Sequence, residues 1–416
     1  MFLRLAVSSL WRRKGSVLLT FFAITVSVFV LLGVEQIRVQ AKNSFSNTVS
    51  GTDLIVGART GDINLLLYSV FRLGNATANI SWQSYQHIAT DPNVAWTIPI
   101  SLGDSHKGYR VMGTNTAYFS HFRFGQEQSL ELAEGAPFSK VFDVVLGSEV
   151  ARALGYQLGD QLTLAHGIGS TSFSNHDDNP FRVTGILKPT GTPVDNTLHV
   201  SLKGIEAIHV GWQNGVKLAS RSNTPAADIQ QEFTPQNITA FMVGLNSKLA
   251  TFRLQRQINT YQGEPLQAIL PGATLAEFWQ VIAAMENTLR LISILVLVAS
   301  LLGLAAMLLA SIRERQQEIA VMRTIGASPW FLLALIEVEA ILITLGASVL
   351  AIVLLFLSTT LSAAILAERF NLFIDSMIIT TQFLIYLMVV AGGTLVVALI
   401  PGVSAYRSAL HQDLTR

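Results

Sequence analysis

Four apolar runs set the limits on how this chain can fold. Gly15–Val34, Leu291–Ala310 and Phe383–Ile400 carry no charged residue, and Phe331–Leu357 carries two, Glu337 and Glu339. About 20 apolar residues suffice to cross a bilayer as a helix, the conformation that satisfies every backbone group within its own segment. Each run therefore predicts a membrane-spanning helix. Composition agrees: the 416 residues are 50% hydrophobic and 13% charged, against about 25% charged in soluble domains. The runs are unevenly spaced. One lies near the start and three lie after Met285, which leaves Glu35 to about Met285 as a polar bulk with room for a domain of its own.

Several function classes drop out early. With no cysteine in the chain, disulfides, thiolate metal sites and a cysteine nucleophile are excluded. The formal net charge is +1 and no basic block is present, so nucleic acid is not an expected partner. No G-x-x-x-x-G-K-[ST] phosphate loop occurs; the glycine-rich spot Gly167–Gly169 lacks the lysine that would reach the phosphates.

Read in order, residues 1–14 carry Phe2, Leu3, Ala6 and Leu10 at roughly helical spacing and end on Arg12, Arg13 and Lys14. That pattern predicts a short amphipathic helix on a membrane surface. Residues 15–34 form the first span, retained rather than cleaved. Residues 35–285 begin with a stretch able to continue that span as a helix. Strand-like pieces follow, among them Asp53–Val56, Val94–Ile100, Val141–Leu146 and Phe181–Leu187, each closed by glycine or proline. Helical pieces at Trp82–Thr90, Ser148–Leu154 and Ser201–Val210 alternate with them, which predicts an α+β domain. From Thr274 the helical pattern resumes and runs without a breaker into a second span at 286–310. A loop at 311–330, a span at 331–358, a loop at 359–381, a span at 382–400 ending at Pro401, and a tail at 401–416 complete the chain. The fold expected is thus an α-helical membrane protein with four transmembrane helices and a large α+β domain inserted between spans 1 and 2.

The loop at 311–330, SIRERQQEIAVMRTIGASPW, is a charged segment held between two membrane-length runs. Basic residues collect on cytoplasmic loops. Arg12, Arg13, Lys14, Arg313, Arg315, Arg323 and Arg407 all fall on one side of a four-span topology, with Arg290 and Arg369 on the other. Both termini and this loop are therefore expected inside and the large domain outside. Ser328 is placed to cap the third span, with Pro329 in its first turn and Gly326 at the bend before it.

On these residues the chain resembles the MacB/FtsX/LolC-type (type VII) permeases of ABC transporters. Carrying the resemblance are Arg315, Glu318, Ile319, Ala320, Arg323, Ile325, Gly326, Ala327 and Ser328, then Glu339–Ala340, and Pro401, Ala405 and Arg407. In the large domain VVLGSEVARALGYQLGDQLTL, with Gly147, Ser148, Ala151, Gly159 and Asp160, looks like the family's strand-helix-GD-strand segment, and FRVTGIL follows. The resemblance implies a non-catalytic permease subunit in a bacterial inner membrane, with a periplasmic MacB-like domain and helical stalks at its two ends. It implies that a separate ABC ATPase docks on Arg313, Glu314, Arg315, Glu318, Ile319, Arg323, Gly326, Ala327 and Ser328, since MacB's fused ATPase has no counterpart here. Mechanotransmission would then serve an amphipathic substrate: a lipoprotein, lipid, peptide or drug. Other partners implied are a second permease, identical or related, membrane lipids, and a periplasmic or outer-membrane protein. The alternative is an FtsX-like signalling subunit that activates a periplasmic partner and transports nothing.

Two other constellations compete for a role. Gly103-Asp104-Ser105 is similar to the serine block of GDS-type hydrolases, but the Asp-x-x-His that family also needs is absent, so no catalytic residue is expected. His166, His176, Asp177, Asp178, Asp195 and His199 crowd a short stretch, and imidazole with carboxylate can hold a divalent ion. Their spacing matches no standard site and His199 falls in an expected strand, so the stretch reads as a polar loop, with no metal and no cofactor expected.

Overall fold

The structure is a computed structural model that describes residues 2–48, 50–167, 179–209, 212–213, 216–217, 235–314, 321, 324–370 and 381–411. The helices used below are α1 (Phe2–Arg12), α2 (Lys14–Thr48), α3 (Asp62–Ser69), α4 (Trp82–Ala89), α5 (Ala117–His121), α6 (Ser148–Leu154), α7 (Leu202–His209), α8 (Thr251–Asn259), α9 (Pro271–Glu314), α10 (Pro329–Phe370) and α11 (Thr381–His411). The chain divides into a helical unit, Met1–Gln40 with Ile282–Ile365 and Ile374–Arg416, and an α+β unit, Ala41–Val281 with Leu366–Phe373.

Among the described residues of the helical unit, α2, α9, α10 and α11 are the four helices long and apolar enough to cross a membrane. They pack through Ile24, Val28, Leu32, Leu304, Leu308 and a stripe of small residues on α10, Ala340, Ala347 and Ala351. Small side chains on one face let helices approach closely where lipid supplies no hydrophobic drive to associate. Hydroxyls tie neighbours together: Ser27 and Ser300 lie 2.5 Å apart and Thr394 donates to Thr344 at 3.1 Å. α9 runs unbroken for 44 residues, as the missing breaker predicts. α11 differs from expectation. It continues through Pro401 to His411, because a proline removes one backbone bond and bends a helix without ending it when packing holds both sides.

Charged clusters mark two levels of this unit. At one, Arg13 donates to the Ser311 carbonyl at 3.0 Å and faces Glu314 at 3.7 Å, satisfying a carbonyl near the C-terminus of α9. At the other, the buried Glu35 carboxylate accepts from Arg38 at 2.5 Å, Tyr386 at 3.3 Å and Arg290 at 3.5 Å. Arg13 immediately precedes α2, and Glu35 lies 22 residues further on, about 33 Å at 1.5 Å per residue. Along α9, Arg290 and Ser311 are 21 residues apart, about 32 Å. Two independent helices therefore place their charged groups one hydrocarbon thickness (about 30 Å) apart.

The α+β unit is built on an eleven-stranded mixed sheet. Its strands are β1 (Leu54–Ala58), β2 (Val94–His106), β3 (Tyr109–Thr114), β4 (Leu132–Gly135), β5 (Asp143–Leu146), β6 (Gln161–Leu162), β7 (Ala165–His166), β8 (Phe181–Leu187), β9 (Thr197–Ser201), β10 (Ala240–Leu245) and β11 (Leu266–Ile269). Their order is β11-β1-β10-β2-β3-β9-β5-β8-β4, with β7 paired to β2 and β6 to β8. The pairs β3/β9 and β5/β8 are parallel and the others antiparallel. Every residue of β1 is buried, which requires cover on both faces. Ile55 packs with Leu65 and Tyr68 of α3 on one side; Leu54 and Val56 pack with Tyr85 of α4 and Leu254 of α8 on the other. A third cluster joins Val144, Leu146, Phe181 and Val200 to Val150 of α6 and Ile208 of α7. Strand β2 extends to His106, well past the expected Ile100. Its register against β3 shifts between Leu102 and Ser105, so Gly103 and Asp104 form a bulge.

Candidate functional site

Of the expected coupling residues, those that the structure describes fall at the end of α9 and the start of α10. Arg313 and Glu314 close α9, and Gly326, Ala327 and Ser328 lead into α10. Arg315, Glu318, Ile319 and Arg323 lie outside the described residues. Gly326 has φ +99° with open space where a side chain would begin, a left-handed geometry that any Cβ would strain. Ser328 Oγ accepts from the Phe331 backbone N–H at 3.3 Å, the cap its sequence position predicts, and Pro329 opens the helix. The Trp330 ring meets Tyr406 of α11 edge-on at 5.7 Å. Val321, Ile325 and Trp330, in the same stretch of sequence, are large exposed apolar side chains. The expected docking set does not include these three.

In the α+β unit a cavity of about 990 Å³ opens beside β5, β9 and α4. Trp82, Phe138, Phe142 and Leu202 give it apolar walls, and Lys140 and Arg182 stand among them.

The histidines and aspartates of the crowded stretch separate. His199 is fully buried in β9, stacked on the Tyr118 ring at 5.2 Å, with Nδ1 3.3 Å from the Val145 carbonyl. Burial, with the buried Arg72 guanidinium nearby, pushes its pKa down to about 3, so it sits neutral in the core. The Asp195 carboxylate accepts from the Thr190 and Gly191 amides at 2.9 and 2.8 Å and holds a turn. His176, Asp177 and Asp178 lie outside the described residues.

Among the described members of this group, His166 alone reaches a cluster, and its companions come from elsewhere in the chain. His166 on β7 pairs directly opposite Asp104 in the β2 bulge, and its Nδ1 lies 3.1 Å from Asp104 Oδ1. His209, the last residue of α7, brings Nε2 to 3.6 Å from the same oxygen and 3.3 Å from His166 Nδ1. Burial alone would raise the Asp104 carboxyl, but the two imidazoles outweigh it and hold it at about 2. Burial would lower His209, and its bond to Asp104 prevails and raises it. In the sequence Asp104 belongs to the GDS tripeptide, and 105 residues separate it from His209. No local spacing could have joined them.

Comparison with known proteins gives two family matches. Residues 17–260 match the profile of the MacB-like periplasmic core domain, and residues 290–412 match that of the FtsX-like permease C-terminal region. Among solved structures, the periplasmic region of MacB from Actinobacillus actinomycetemcomitans is similar at 13% identity and a TM-score of 0.35, covering 57% of this chain and 94% of that one. The extracellular domain of the noncanonic ABC-type transporter YknZ from Gram-positive bacteria is similar at 13% identity and a TM-score of 0.31, covering 52% and 99%. No curated protein matches the chain.

Proposed function

The chain belongs to the MacB/FtsX-type family of ABC permeases, and we propose from that membership that it transmits the work of a separate ATPase to its α+β domain. Members of this family act with an ABC ATPase partner. The observation that carries the reading is the segment from Arg313 to Trp330, where Arg313 and Glu314 close α9 and Val321, Ile325 and Trp330 are exposed. A charged surface with an apolar centre is what a partner groove engages. In this reading residues 311–330 form the coupling loop, and Arg313, Glu314, Arg315, Glu318, Ile319, Arg323, Gly326, Ala327 and Ser328 are its docking set. ATP-driven closure of the partner shifts that loop. The continuous helices α2 and α9 carry the displacement outward as stalks.

The membrane is then a bacterial inner membrane, with both termini cytoplasmic, residues 35–285 periplasmic and a second permease alongside. The cavity walled by Trp82, Phe138, Phe142 and Leu202 with Lys140 and Arg182 supports an amphipathic, anionic substrate. Photocrosslinking from position 313 or 325 in the native membrane, followed by mass spectrometry, tests the docking surface. Capture of an ABC ATPase is the expected outcome, and its absence at both positions would overturn the reading. Pull-down of a soluble periplasmic hydrolase instead of a lipid or peptide would favour the signalling alternative.

A further inference from the structure

We propose that Asp104, His166 and His209 form an exchangeable site for a divalent transition metal of the zinc class on the α+β domain. The three donor atoms, Asp104 Oδ1, His166 Nδ1 and His209 Nε2, stand 3.1, 3.6 and 3.3 Å apart in pairs. A tetrahedral zinc with bonds of about 2.0–2.1 Å requires ligand atoms about 3.3–3.4 Å apart. The triangle is therefore one face of a tetrahedron, close to its final size.

The surrounding structure orients each ligand. His209 Nδ1 lies 2.7 Å from the Ile205 carbonyl, one turn back on α7. That bond takes the Nδ1 proton and leaves the Nε2 lone pair facing the cluster, the arrangement that metal-binding imidazoles use. The β2 bulge turns Asp104 into place, as bulges beside functional sites commonly do. His166 is fixed across from it by strand pairing, and Ser105 Oγ donates to the Gly167 carbonyl at 2.5 Å to hold the strand end. A carboxylate oxygen, an oriented lone pair and a second imidazole nitrogen thus converge. Electron-rich atoms this close repel one another unless a cation lies among them. A proton can play that part, and a metal ion plays it for all three at once.

The donor set selects the ion. Two imidazoles and one carboxylate suit zinc and its late first-row neighbours, whereas calcium and magnesium prefer oxygen alone. The Asp104 side chain is 2% exposed, and those of His166 and His209 are 48% and 32% exposed. The anionic ligand is desolvated while the two imidazoles are partly exposed, so an ion held there stays within reach of solvent and of a chelator.

The test uses the full chain in detergent, purified without a histidine tag, stripped with chelator and titrated with zinc chloride against a chromogenic chelator. One zinc per chain is expected, with a raised unfolding temperature. His166→Gln and His209→Gln should each lower affinity at least about tenfold and abolish the thermal shift. His166→Gln changes a half-exposed side chain, so it guards against the outcome in which Asp104→Asn fails to fold. Cobalt in place of zinc should show intense tetrahedral absorption in the wild type and lose it in the variants. No uptake, or uptake unchanged in both histidine variants, would overturn the proposal. No ATPase is present in these measurements, so they stand or fall separately from the coupling reading.

Discussion

The two units of this molecule treat apolar side chains in opposite ways. In the helical unit Leu19 is 74% exposed and Val396 66% exposed, while Ser27, Thr344 and Thr394 are buried. In the α+β unit the sheet buries Ile55, Val144 and Val200 completely. The difference teaches which solvent each unit was selected for. Water drives apolar area inward at roughly 25 cal/mol per Å²; lipid does not, so helix packing there rests on close fit and hydroxyl bonds. A second contrast lies in the charges. The buried Glu35 of the helical unit meets Arg38 and Arg290, whereas the buried Arg72 of the α+β unit donates to the Ser69 carbonyl within a sheet core.

The strongest test of this contrast acts at the exposed end of the helical unit. Glu318→Lys or Arg323→Glu should uncouple ATP hydrolysis from transport or signalling while the α+β unit stays folded. A charge buried at an interface and left unpaired costs about 2–5 kcal/mol, a loss of at least about thirtyfold in the coupled rate. Undiminished coupling in reconstituted vesicles would count against docking there. Next in size is Gly135→Ala. Gly135 has φ +77° and its new Cβ would lie 2.1 Å from the Thr184 carbonyl. A loss of about 3 kcal/mol is expected, read as a lower unfolding temperature of the α+β unit with the helical unit unaffected.

The His199 prediction concerns acid. Its folded pKa of about 3 lies below the ordinary 6.5. Below about pH 6.5 the unfolded chain takes up a proton that the folded one refuses, so stability falls as the pH drops toward 3. Near pH 4.5 the cost is about 2–3 kcal/mol. His199→Phe should flatten that acid limb, whatever it does to stability at neutral pH. Thermal melts at pH about 7 and about 4.5 compare the two. Smallest is Thr394→Val, which removes the hydroxyl bridge to Thr344 at about 0.6 kcal/mol. Steric trapping of the helical unit in bicelles should register it, and an effect of several kcal/mol would mean that this bond does more than average membrane hydrogen bonds do.

Local pattern carried much of this fold. Long apolar runs announced the four long helices, and the Ser328 cap and Gly326 bend were legible because capping depends on residues three or four positions apart. The α+β class followed from strand and helix pieces in alternation. Strand order did not: β1 lies between β10 and β11, from the far end of the domain, and nothing near Leu54 names Val243 or Ile269 as partners. The histidines and aspartates between His166 and His199 read as one polar group, but His166 lies on a strand edge, Asp195 holds a turn and His199 sits in the core of its expected strand. Composition cannot say which side of a sheet a residue faces once a bulge has shifted the register.

What the amino-acid sequence determined by itself is therefore the medium of each part and the place of the exposed charged segment. Transfer free energy acts on each run of residues without reference to the rest of the chain. What tertiary structure alone decided is the meeting of Asp104, His166 and His209. That meeting depends on a bulge in β2, the register of a two-residue strand and the end of α7. Each is set by packing across the sheet, and a metal site needs all three at once to within a few tenths of an ångström.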